Sequence, residues 1–141
     1  MYQSKYDSIK KQADNLFKSL TSTIDLLTNS NESRNKLLIE NVKRIKNEFR
    51  FNFIGISLYI LVKHSIDKGI IEWGYIKTEM EEENRVELYK EEYDKFGNIL
   101  NTENGFNNGI ISEYGYAFFP NLLTVIEKYF NVNKEANFYY E

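Results

Sequence analysis

The side chains best suited to chemistry in this 141-residue chain are carboxylates crowded into one short run. Between positions 79 and 94 stand Glu79, Glu81, Glu82, Glu83, Glu87, Glu91, Glu92 and Asp94, eight acids against Arg85 and Lys90, a local net charge of −6. A field of that strength steers a basic protein surface toward it, and the interleaved Tyr89 and Tyr93 offer aromatic anchors for the contact. The candidate partner-binding set is therefore Glu81, Glu82, Glu83, Glu87, Tyr89, Glu91, Glu92, Tyr93 and Asp94. A competing account makes the run a solvated strand edge whose charge prevents aggregation.

Other chemistry has less to stand on. His64 is the single histidine, and no G-x-S-x-G elbow accompanies it for a hydrolase triad. A metal site would have to combine that one imidazole with carboxylates. Glu92, Asp94, Gly97, Ile99 and Glu103 fall at positions 1, 3, 6, 8 and 12 of a calcium loop. Position 5 is Phe96, however, and glycines follow Glu103 where a helix is needed. Gly55, Gly69 and Gly74 are too scattered for a phosphate-binding loop. Cysteine is absent, which excludes thiolate metal sites, thiol catalysis and disulfides. No catalytic residue, metal or cofactor is assigned, and the chain is expected to be non-enzymatic.

Charge is divided along the chain. Residues 1–68 hold 12 Lys/Arg against 7 Asp/Glu, a net of +5, whereas residues 69–141 hold 6 against 14, a net of −8. The basic cluster Arg34, Lys36, Lys43, Arg44 and Lys46 suits phosphate contacts, but Glu40 and Glu48 interrupt it and no recognition motif accompanies it. Nucleic-acid binding is not expected. Asn, Lys, Ile, Tyr and Phe are abundant while alanine is scarce, the composition of an AT-rich coding sequence such as those of low-GC bacteria and their mobile elements.

These side chains must be positioned by a fold, and hydrophobic periodicity indicates which. Ile9, Ala13, Leu16, Phe17, Leu20, Ile24 and Leu27 make one helical stripe over residues 4–28. Leu38, Val42, Ile45 and Phe49 predict a second helix over 32–47, antiparallel to the first. Residues 49–64 alternate with apolar side chains at both parities: Ile54, Ile56, Leu58, Ile60 and Val62 at one, Phe49, Phe51, Phe53, Tyr59 and Leu61 at the other. That pattern predicts a central strand buried on both faces.

Ile66-Asp67-Lys68-Gly69 predicts a turn, and residues 70–78 a second strand in which Gly74 marks a bulge or a close approach. Residues 79–96 fit either a helix or a hairpin. Like charges four apart, Glu83 with Glu87 and Glu87 with Glu91, favour the hairpin, with a type I turn at Asp94–Gly97 feeding a strand at 98–101. Loops follow through 101–109, Ile110 and Ile111 begin a short edge strand, and Pro120 opens a final helix over 118–131.

The expectation is one α+β domain over 1–141, with a helical pair at 1–48, an antiparallel sheet of three to five strands at 49–111, a C-terminal helix at 118–131 packed on the sheet, and a tail at 132–141. The N-terminus lacks a signal-peptide core and no apolar run spans a bilayer, so a cytoplasmic protein is expected, with no membrane partner. The functional expectation is an inhibitor or immunity-type binding module that blocks a basic, nucleic-acid-processing target through the acidic surface. The alternative is a ligand-binding or enzymatic domain with an aromatic pocket of Trp73, Tyr75, Tyr114 and Tyr116 between sheet and helices. A homodimer through the N-terminal helices is a further option.

Overall fold

A computed structural model describes residues 2–28, 39–101 and 107–133. The order is helix α1 (Tyr2–Thr28), strands β1 (Ile39–Ile45), β2 (Glu48–Phe53), β3 (Ile56–His64), β4 (Gly69–Glu79), β5 (Glu82–Tyr93), β6 (Asn98–Asn101) and β7 (Asn107–Ile110), a 3-10 turn (Ile111–Glu113), and helix α2 (Tyr114–Val132). Every strand pairs antiparallel with its sequence neighbour, giving one seven-stranded meander in the order β1 to β7. The α+β class holds. The sheet is larger than the expected three to five strands, because the segment expected as a second helix contributes one strand and residues 49–64 contribute two rather than one.

The first correction lies at residues 49–64, which form a hairpin rather than one strand. Ile54 and Gly55 sit at positive φ, +46° and +82°, the backbone of a two-residue type I′ turn between Phe53 and Ile56. A two-residue turn changes which parity faces inward. Phe49 lies opposite Ile60 and Phe51 opposite Leu58, so the odd residues of β2 and the even residues of β3 share one buried face. Two apolar parities in one continuous sequence thus become one apolar face in a hairpin.

The second correction is β1, which takes up much of the helix expected over 32–47; residues 32–38 of that span lie outside the described residues. Only Ile39 of β1 is fully buried, as an edge strand permits. Backbone pairing with β2 and the β-branched Ile39, Val42 and Ile45 outweigh the helical spacing. Asn41, at φ +54°, takes up a bulge between Glu40 and Lys43. Arg44 closes the edge by laying its guanidinium 4.2 Å from the Phe17 ring centroid.

Between 79 and 96 the hairpin is observed. Asp94 Oδ1 accepts from the amides of Phe96 and Asn98, each at 2.9 Å, and the amide of Gly97 donates to the Asp94 carbonyl at 3.1 Å. Gly69 is not at positive φ. It is required because the Tyr93 phenol lies against its Cα, where a Cβ would collide. Gly74 is a close approach, and the bulge lies opposite it on β5 rather than at the glycine itself. The register slips between Trp73 and Gly74, and Tyr59 covers the glycine from the outer face.

Helix α2 starts four residues before the expected 118, leaving Pro120 inside it. The 3-10 turn leads the chain straight into helix, and Gly115 lets α2 approach α1 so closely that a Cβ would strike the Thr23 hydroxyl. Both helices cover one face of the sheet. Ile9, Leu16, Phe17, Leu20 and Ile24 of α1 and Phe118, Leu122 and Val125 of α2 meet Phe49, Phe51, Ile60, Ile71 and Trp73 in a single core. Phe118 contacts both Phe51 and Trp73, with ring centroids 5.9 and 5.6 Å apart.

Candidate functional site

The acidic run folds into the β4–β5 hairpin and its continuation, and the bulge decides which carboxylates face solvent. Leu88 is the extra residue, so side-chain parity switches there. Glu83, Arg85 and Glu87 project from the outer face, whereas Tyr89, Glu91 and Tyr93 project into the core. This corrects the candidate set: Tyr89, Glu91 and Tyr93 are buried and offer nothing to a partner. Asp94 is spent on its turn, and Glu92 pairs with Lys68 Nζ at 3.1 Å.

What remains is the hairpin tip. Met80 and Glu81 sit at φ +51° and +69°, the backbone of a type I′ turn closed by Glu79 opposite Glu82. Met80 is 97% exposed. Glu79 pairs with Lys77 at 2.7 Å, and Glu83 receives Arg50 Nη1 at 2.9 Å. Glu81 and Glu82 are exposed, and neither forms an ion pair among the described residues.

The tip is anchored by a polar lattice on the outer face that sequence reasoning missed. Glu48 on β2 is only 3% exposed; its Oε1 accepts Arg85 Nε at 2.7 Å, and its Oε2 accepts Arg85 Nη2 at 2.9 Å and Arg50 Nε at 3.0 Å. Burial pushes the Glu48 carboxyl up, but the hydrogen bonds and charges of Arg85 and Arg50 outweigh it and hold the group below its ordinary range. Beside it, Tyr59 donates to Glu72 Oε2 at 2.6 Å and Lys63 donates to Glu72 Oε1 at 2.9 Å. Glu72 is lowered in the same manner, its burial outweighed by Tyr59 and Lys63. Arg85 on β5 reaches Glu48 on β2, so the distal part of the β4–β5 hairpin curls over the outer face. There Ile76, Thr78 and Glu83 line a cleft of about 310 Å³ with Asn41, Lys43 and Arg50. A lone carboxylate inside an apolar strand, as in IIEWG, is the signal that would have located Glu72, whereas Glu48 only heads its strand after Lys46-Asn47 and carries a weaker one.

A second polar cluster lies inside the core. Tyr114 Oη donates to Glu91 Oε1 at 2.7 Å and accepts from Trp73 Nε1 at 2.9 Å, while Asn121 Nδ2 donates to both oxygens at 3.0 Å. Burial, then the Glu91 charge and hydrogen bond, hold the Tyr114 phenol well above its usual range, so it acts as a donor. Of the aromatics expected to line a pocket, Trp73 and Tyr75 are packed in the core, while Tyr114 and Tyr116 border a cleft of about 280 Å³.

His64 is exposed, with Nε2 3.3 Å from Tyr6 Oη. Among the described residues no cluster of three or more metal-ligating side chains occurs, and no helix is long and apolar enough to cross a membrane. Comparison of the chain with family models, with curated proteins and with solved structures gives no match.

Proposed function

We propose that this protein is a non-enzymatic binding module of the inhibitor or immunity type, and that it presents the β4–β5 tip to a basic surface on a protein partner, such as a nucleic-acid-processing enzyme. One observation carries the reading: a nearly fully exposed Met80 held between Glu79, Glu81 and Glu82 on a turn that side chains rarely adopt. Left-handed backbone costs an L-residue about 1–2 kcal/mol, and Asn-Gly would relieve it. The strained backbone alone is not distinctive, since Ile54 shares it. Its coincidence with Glu81 and Glu82, which no cation neutralises, is found only here among the strained turns of the described residues. The Arg85–Glu48 and Arg50–Glu83 pairs support the role by consuming the nearby cations and fixing the hairpin.

The test is affinity capture from host lysate across a salt series, comparing the parent with an E81K/E82K variant of unchanged circular dichroism. Capture should weaken with salt and disappear in the variant. Equal capture by both proteins would refute the role of the tip.

A further inference from the structure

Helix α2 is apolar on two sides. Tyr114, Phe118, Leu122 and Val125 face the core, yet Tyr116, Phe119, Leu123 and Phe130 are 86, 41, 64 and 47% exposed. Together with the half-buried Ile126, positions 116, 119, 123, 126 and 130 follow the alternating three- and four-residue spacing of a helix–helix seam. Beside the N-terminal part of the stripe, α1 and α2 leave an open groove of about 740 Å³, lined by Ser22, Leu26, Tyr116 and Phe119. Leu26 is itself 75% exposed.

We infer that this face is a homodimer interface in which two copies of α2 pair antiparallel across a two-fold axis close to Leu123 and Thr124. Two features select a second copy over another occupant. The stripe is self-complementary: Phe130 is a knob at one end and the groove beside Phe119 is a hole at the other, 11 residues or about 16 Å along the helix. One two-fold operation seats both knobs at once and closes the assembly. The exposed parts of Leu26, Tyr116, Phe119, Leu123 and Phe130 amount to about 500 Å², over half of the ~800 Å² per partner of a stable interface. The homodimer that the sequence offered as a further option through the N-terminal helices is thereby moved onto α2, with α1 contributing Leu26.

The experiment is sedimentation equilibrium of the full chain from about 1 to 300 µM. The expected mass rises from 16.8 kDa toward twice that value. Leu123→Asp, and independently Tyr116→Lys, should remain monomeric with unchanged circular dichroism, since both sites are exposed. The chain has no cysteine, so single cysteines report geometry. Leu123→Cys should cross-link on oxidation and Val132→Cys should not. A monomer at every concentration would overturn the inference, as would a dimer that survives Leu123→Asp or one that cross-links through Val132→Cys. A monomer that dimerises only after residues 134–141 are removed would show that the chain covers its own face, and would equally overturn it.

Discussion

Deleting a single oxygen from the core cluster tests its energetics. In Tyr114→Phe the ring stays, but Glu91 loses the donor at 2.7 Å and Trp73 Nε1 loses the acceptor at 2.9 Å. A hydrogen bond to a carboxylate contributes about 1.5–3 kcal/mol, and an orphaned buried N–H costs about 1–3 kcal/mol. Asn121 still reaches Glu91 at 3.0 Å and moderates the loss. The expected destabilisation is therefore about 3 kcal/mol, or about 10 °C in melting temperature for a domain of this size. Tyr93→Phe is the matched control, because the buried Tyr93 hydroxyl has no hydrogen-bond partner among the described residues. Its deletion removes an unpaid desolvation and should leave stability unchanged or raise it by up to about 1 kcal/mol. Urea unfolding followed by circular dichroism reads both variants. Equal losses, or a Tyr114→Phe effect below about 1 kcal/mol, would refute the assignment of this cluster as a cooperative element of the core.

Gly74→Ala should cost about 1–3 kcal/mol or more in urea unfolding, since its Cβ would meet the Val86 carbonyl and the Tyr59 ring, and the backbone neighbour cannot rotate away. Glu48 and Glu72 have carboxyl groups lowered from the unfolded value near 4.5. The unfolded chain therefore binds more protons in that window, and their stabilisation is present above pH 4.5 and lost as pH falls through the lowered folded values. An E48Q/E72Q double variant should show a flatter loss of stability with acid than the parent. Replacing Met80-Glu81 with Asn-Gly should raise stability by about 1 kcal/mol while abolishing partner capture, separating the strain of the tip from its use. A stabilised variant that still captures would place binding elsewhere.

The parts of this fold legible in sequence are those where one local interaction decides the outcome. The α1 stripe is set by spacing alone, and Ile9, Leu16, Leu20 and Ile24 are all buried. Asp94 with Gly97 specifies its turn through side-chain and backbone hydrogen bonds within four residues. Gly74 signals a close approach because nothing larger fits. The acidic content of the candidate site was equally plain.

What tertiary structure decided is parity and pairing. Whether 49–64 runs straight or turns depends on Ile54 accepting a left-handed backbone, which only the gain from a shared core face offsets. Residues 39–45 satisfy a helical spacing, yet the open edge of β2 supplies backbone partners that a marginal helix cannot match. The division of the acidic run follows from one inserted residue. Leu88 turns Glu87 outward and sends Tyr89, Glu91 and Tyr93 inward, a switch visible only once β4 lies alongside to fix the register. Charge along the chain was determined by sequence; which of those charges reaches solvent was determined by a bulge.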